Sequence, residues 1–90
     1  RINTRGSKMK TLHRLCDNKV ELIIFEIKKE SHIVGIPLKD LKLQTNVIIA
    51  SIFRNDNLIF PGGNDTIEIG DYVIIITTTP IDDFEGIVLK

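Results

Sequence analysis

The 90 residues carry 12 basic and 12 acidic side chains, so there is no bulk attraction to nucleic acid, and a single domain of this size buries only about 60–65% of its unfolded surface. Ile, Leu and Val number 17, 8 and 5 and Trp is absent, which makes the apolar supply β-branched and favours strands over long helices. The single cysteine, Cys16, excludes an internal disulfide and a multi-thiolate metal site, and no run approaches the roughly 20 apolar residues of a membrane helix.

Along the chain, Arg1, Arg5, Lys8, Lys10 and Arg14 all precede the first acid, Asp17. The run has no interleaved aromatics, so it reads as solvated chain and nucleic-acid binding is not expected. Residues 1–7 are taken as a linker and residues 8–90 as one domain; the chain opens on Arg1 and is read as a piece of a longer protein. Lys8 to Leu12 alternates weakly, and Asp17-Asn18 supplies turn chemistry, which predicts a leading strand. Val20 to Lys28 (VELIIFEIK) alternates strongly, with Ile23, Phe25 and Ile27 on one face and Leu22 and Ile24 on the other. In Gly35 to Leu43, Pro37 is placed in a first helical turn, with Leu38 and Leu41 at helical spacing; a short helix is predicted there, with both leucines against the sheet.

Val47 to Phe53 is almost continuously apolar, and the four polar residues Arg54 to Asn57 separate it from Leu58-Ile-Phe60, the pattern of an antiparallel hairpin. Pro61 to Asp65 is turn-rich, Thr66 to Ile69 alternates briefly, and Gly70-Asp71 marks a tight entry into Tyr72 to Thr79, a strand apolar enough to be buried on both faces. Thr79 can cap a closing helix that begins at Pro80, carries Asp82 and Asp83 in its first turn, turns Ile81 and Phe84 inward and stops at Gly86. The predicted class is α+β: a β-rich sheet of about five strands, one short helix between strands and a short C-terminal helix. A sheet this apolar gains burial by pairing with a second copy, so a homodimer is expected.

Three segments, Val34–Leu43 (VGIPLKDLKL), Ile48–Arg54 (IIASIFR) and Ile67–Ile75 (IEIGDYVII), stand in an order and spacing that resembles the TrkA C-terminal domain, the C-terminal half of regulator-of-potassium-conductance domains, over roughly residues 8 to 85. Thr11–Arg14 (TLHR) is similar to the segment that enters this domain in Trk-type potassium uptake regulators. The resemblance implies a non-catalytic, cytoplasmic regulatory module held at the inner face of the membrane through a potassium transporter or channel partner. Gly35, Pro37, Leu38, Leu41, Gly70 and Asp71 then identify the scaffold and not an active site. In some members of the family this domain binds cyclic di-AMP, and the positions matching that site are Leu43, Gln44, Asn46 and Pro61. Gln44 stands where the family carries an arginine, and the loop before Val47 is shorter. Loss of a guanidinium removes the best phosphate donor, so dimerisation with signal coupling to cation transport is the leading expectation. A cyclic dinucleotide sensor, or the same module on an antiporter or anion carrier, is the alternative, and a small anionic ligand is the partner class that alternative requires.

Catalytic chemistry is not expected. His13 and His32 lie far apart in sequence, and Cys16 lacks an orienting partner for nucleophilic work. Asp82, Asp83 and Glu85 are accounted for by a helix start, and no metal is expected there. No glycine-rich phosphate loop occurs, so NAD or ATP binding is assigned only to an upstream domain outside this chain. Arg54, at the end of an apolar strand, is read as reaching water.

Overall fold

The computed structural model describes residues 7–89. Five strands, β1 (Ser7–Leu15), β2 (Val20–Ile27), β3 (Val47–Arg54), β4 (Asn57–Ile59) and β5 (Tyr72–Thr77), form one sheet in the order β1-β2-β5-β3-β4, with every neighbouring pair antiparallel. The two most apolar late segments, β3 and β5, are adjacent in the interior of the sheet, as the sequence predicts. The leading strand is longer than its weak alternation suggests and opens at Ser7; the rest of the expected linker lies outside the described residues.

Local chemistry sets the two hairpins. Asn55 and Asp56 join β3 to β4 with φ of 51° and 65°, a two-residue left-handed turn whose twist matches that of the flanking strands. The polar connection is therefore half as long as the four-residue run in sequence, because Arg54 and Asn57 pair as the last rung of the ladder. Between β1 and β2, Cys16, Asp17 and Asn18 all have positive φ, and the Lys19 amide closes the turn on the Leu15 carbonyl at 3.1 Å.

One face of the sheet carries the core. Ile23, Phe25 and Ile27 on β2, Val73 and Ile75 on β5, and Val47 and Ile52 on β3 are buried beneath Ile33, Val34, Ile67, Ile81, Phe84 and Ile87 from the connecting segments. Each buried aliphatic or aromatic side chain contributes about 1.5–3 kcal/mol relative to exposure. Phe25 and Phe84 meet edge to face, with ring centroids 5.6 Å apart. The opposite face of β5, with Tyr72, Ile74 and Ile76, is only half-buried, so burial of this strand on both faces does not occur within one copy.

Both predicted helices shrink to single 3₁₀ turns among the described residues, Leu38–Asp40 and Phe84–Ile87, which leaves the α of α+β unsupported. At the first, Pro37 precedes the turn and does not begin it. The amides of Leu38 and Lys39 donate to the carbonyls of Asp65 and Gly63, each at 2.9 Å, so a neighbouring loop satisfies the first amides, which have no partner within a helix, and beyond Leu41 the chain is extended and pairs with residues 87–89. At the second, Asp83 and not Thr79 is the cap, accepting from the Gly86 amide at 3.1 Å. Gly86 thus sits inside the turn. Ile81 and Phe84 do face inward, as predicted. Thr66 to Ile69 forms no strand; its Ile67 carbonyl accepts from Gly35 at 2.8 Å while its side chain fills the core.

Candidate functional site

The scaffold residues come first, because they position everything else. Gly35 has φ of 82° and Gly70 of 97°, and a Cβ at either would meet nothing within 4 Å. The demand at both positions is therefore for the left-handed backbone itself and not for space. Beyond Gly35 the chain runs along residues 63–67, then reverses through the 3₁₀ turn so that Leu38 and Leu41 rest, half-buried, against the core.

From Lys42 the chain is extended and pairs with the end of the domain. The Leu89 amide donates to the Lys42 carbonyl and the Gln44 amide to the Ile87 carbonyl, each at 2.8 Å, around a bridge between Leu43 and Val88. In extended chain, successive side chains point to opposite sides. Leu43 accordingly turns toward β3 and lines a groove of about 350 Å³ with Leu38, Lys39, Val47, Ile49 and Pro61. Gln44 turns the other way: its Nε2 donates to the Gly86 carbonyl at 2.6 Å, and it borders a second, larger cavity of about 660 Å³ beside His32, Asp83 and Glu85.

The four residues matched to a ligand site by resemblance are thus only partly brought together. Leu43 and Pro61 share the smaller groove, Gln44 lies on a separate cavity, and Asn46 lines neither. Asn46 takes a left-handed turn (φ 65°), and its carbonyl accepts from Thr78 at 3.1 Å. The groove is apolar on most of its wall, with Lys39 as its only charged lining residue among the described residues. It suits a partly apolar occupant carrying negative charge better than a compact polar one.

Sequence reasoning missed the most elaborate polar arrangement in the fold. Arg54 keeps a third of its side chain exposed to water but is bound on its inner side. Its Nε and Nη2 donate to the two carboxylate oxygens of Asp71, both at 2.8 Å, and Nη2 also donates to the Thr66 carbonyl at 2.9 Å. Asp71, 1% exposed, accepts in addition from the Glu68 amide at 2.8 Å. The hydrogen bond to Asp71 raises the Arg54 pKa above its ordinary value, burial opposes it, and the charges of Asp71, Glu68 and Asp65 reinforce the rise. A signal existed in sequence. Arg54 follows buried Ile52 by two positions and so shares its face of β3, and a charge on a core face requires a partner.

The residues considered for catalysis stay apart or on the surface. Cys16 is exposed in the β1–β2 turn, His13 is exposed on β1, and His32 lies on the larger cavity. No group of three or more His, Cys, Asp or Glu side chains suited to a metal ion occurs among the described residues, and none of the helices there is long and apolar enough to cross a membrane.

Residues 22–85 match the TrkA-C domain family. The chain is 33% identical over 72 residues to Trk system potassium uptake protein trkA homolog 1 of Methanosarcina mazei, covering 79% of this chain and 18% of that protein. It is 39% identical over 61 residues to the Trk system potassium uptake protein TrkA homolog of Archaeoglobus fulgidus, covering 68% and 14%. It is 32% identical over 56 residues to the K(+)/H(+) antiporter NhaP2 of Shewanella baltica, covering 62% and 10%. The chain therefore spans less than a fifth of the length of each of these relatives.

Proposed function

This chain belongs to the TrkA-C domain family, and we propose that it serves as a non-catalytic, dimerising regulatory module that couples a cytoplasmic signal to a cation transporter. One observation carries the reading. The family match over residues 22–85 spans a fold whose buried polar groups, Asp71 with Arg54 and Thr77 with Thr79, serve the scaffold. The relatives named as potassium uptake proteins and K(+)/H(+) antiporters support potassium transport as the process and a membrane transporter or channel subunit as the partner. On this reading the module sits on the cytoplasmic side, and NAD or ATP chemistry belongs to segments outside these 90 residues.

Regulation of this kind requires an effector that binds two arrangements of the dimer unequally. The test is potassium uptake in cells whose parent protein lacks residues 22–85 but is otherwise produced at normal abundance. The expected result is transport that continues with altered dependence on conditions. Uptake identical to that of the intact protein would overturn the reading.

A second reading, a sensor of a small anionic ligand such as cyclic di-AMP, is favoured by the meeting of Leu43, Pro61 and Lys39 in one groove. Gln44 contributes nothing to it in this geometry, since its amide is engaged with Gly86. Calorimetric titration of the chain with cyclic di-AMP and with common mononucleotides decides the matter. Heat that saturates and disappears in Leu43→Asp supports the sensor; no heat from any of them removes it.

A further inference from the structure

We propose that the larger of the two cavities, the one Gln44 borders, is a binding site for a small organic cation carrying primary ammonium groups. This deepens the regulatory reading above, on which it rests, by giving the effector a chemical class. Three separate stretches of chain wall the cavity. His32 comes from the connection after β2, Gln44 from the extended segment after the first 3₁₀ turn, and Asp83, Glu85, Val88 and Leu89 from the second turn and its flanks. The volume of about 660 Å³ falls within the range of pockets that take small molecules, about 300–1,000 Å³.

Donors on that wall are engaged by the fold itself. The amides of Gln44 and Leu89 donate to the carbonyls of Ile87 and Lys42, each at 2.8 Å. The Gly86 amide donates to Asp83 Oδ1 at 3.1 Å, and the Gln44 side-chain nitrogen to the Gly86 carbonyl at 2.6 Å. These stitches leave acceptors over: Gln44 Oε1, Asp83 Oδ2 and both carboxylate oxygens of Glu85, none with a hydrogen-bond or ion-pair partner among the described residues. No Lys or Arg lines the cavity among the described residues, and Lys42, two positions before Gln44, is exposed. Two half-buried carboxylates thus border the space without a cation of their own, and burial of a charge without compensation is costly.

The occupant has to bring positive charge and hydrogen-bond donors. A bare metal ion fits poorly, because no group of three or more His, Cys, Asp or Glu side chains suited to one occurs among the described residues, and the space is that of a molecule. An ammonium group carries three N–H donors and no acceptor, and its bonds to carboxylates are charge-assisted. Two acids in one cavity call for two such groups on a short aliphatic stem, which can lie along Val88 and Leu89. Position 44 decides the sign of the site. A basic side chain there would supply the cation itself; Gln44 supplies an amide oxygen instead.

The test is titration of the 90-residue chain with diaminobutane, followed by heteronuclear NMR at constant ionic strength. The side-chain signals of His32 and Gln44 and the methyl signals of Val88 and Leu89 should shift and saturate, with a dissociation constant on the order of 1 mM. Signals of Val47 and Ile49, in the separate groove, should stay fixed. Butanediol of the same chain length, which lacks the charge, should give no saturable shift, a contrast that needs no variant. Glu85→Gln keeps the shape and removes one charge, and should weaken binding by about tenfold. Gln44→Arg should abolish it, whereas Asp82→Asn, at an exposed acid outside the cavity, should leave it within about twofold. Unchanged amide signals of Ile23 and Ile75 verify that each variant is folded. The assignment is overturned by a diamine that fails to saturate these signals at tenfold that constant, by butanediol, K⁺ or Mg²⁺ acting as readily as the diamine, or by binding indifferent to Glu85→Gln. Each of those results leaves the regulatory reading standing, since potassium uptake decides it. Diamine binding with uptake unaffected by loss of residues 22–85 would keep the site and sink its regulatory role.

Discussion

Arg54 at the end of β3 and Asp71 at the entry of β5 are joined by two parallel hydrogen bonds, Nε to Oδ1 and Nη2 to Oδ2, each 2.8 Å long. The guanidinium remains 33% exposed while the carboxylate is 1% exposed, so the pair is a buried anion held by a cation that keeps contact with water. Its third and fourth partners, the Thr66 carbonyl and the Glu68 amide, tie the turn before β5 to the β3–β4 hairpin. The Gly70-Asp71 signature, which reads in sequence as turn chemistry, is in this structure half of a clamp.

Removing one member of such a pair leaves the other buried without compensation. Arg54→Met should therefore destabilise the domain by about 2–4 kcal/mol, as measured by urea denaturation, and Asp71→Asn by less, because an amide can still accept from Glu68. The double variant should cost less than the sum of the two; strict additivity would mean that the bidentate geometry contributes nothing. A base whose pKa is raised on folding stabilises fully below its unfolded pKa and loses that contribution as pH climbs through the folded one. For Arg54 that window is strongly alkaline, so its ionisation should leave stability flat through neutral pH.

The β1–β2 turn holds three consecutive non-glycine residues at positive φ, 52° at Cys16, 59° at Asp17 and 69° at Asn18. Asp and Asn tolerate this conformation through local hydrogen bonds, whereas Cys has no such compensation. Cys16→Gly should raise stability by about 0.5–1 kcal/mol, seen as a higher melting temperature, and Cys16→Val should lower it. A lower melting temperature for the glycine variant would show that the turn is not under strain.

Adjacent residues Leu43 and Gln44 face opposite cavities, so their substitutions should separate cleanly. Gln44→Ala removes the bond to the Gly86 carbonyl and should cost about 1 kcal/mol without changing what the groove beside Pro61 accepts. Gln44→Arg should not create a phosphate site in that groove, since position 44 turns away from it. Calorimetry with the groove's ligand candidates, alongside thermal melting, distinguishes the two effects.

Much of this architecture was legible in the sequence, and the failures have physical causes. The alternation in Val20 to Ile27 named both faces of β2 correctly, and the polar break after Phe53 located the hairpin, because side-chain period and turn chemistry are local properties. The first helix ends after one turn because residues 42–44 pair with residues 87–89, a contact between segments that no local pattern announces. The four positions matched by resemblance diverge in space for a related reason. Treating residues 43–46 as a loop hides the fact that Leu43 and Gln44 lie in extended chain paired with residues 87–89 and so diverge. Arg54 shares the core face of β3 with Ile52, but its partner Asp71 lies 17 residues further along the chain, a pairing that the local pattern does not contain.

The stitch between residues 37–40 and 63–65 should be sensitive to a single methyl group. A Cβ at Gly63 would lie 3.2 Å from the Cβ of Lys39, whereas at Gly62 the nearest atom, Asp65 Oδ2, is 4.0 Å away. Gly63→Ala must therefore push the Lys39 backbone outward by a few tenths of an ångström, lengthening the bond from its amide to the Gly63 carbonyl, while Gly62→Ala should fit. Since the amides of Leu38 and Lys39 are held only by this loop, the expected result is faster hydrogen exchange at those two positions in Gly63→Ala, with exchange at Ile23 and Ile75 in the sheet unchanged. Leu38 and Lys39 both line the groove, so the same variant should alter any ligand response of the groove. Equal exchange rates at Leu38 and Lys39 in the two variants would mean that the close approach at Gly63 does not hold the turn in place.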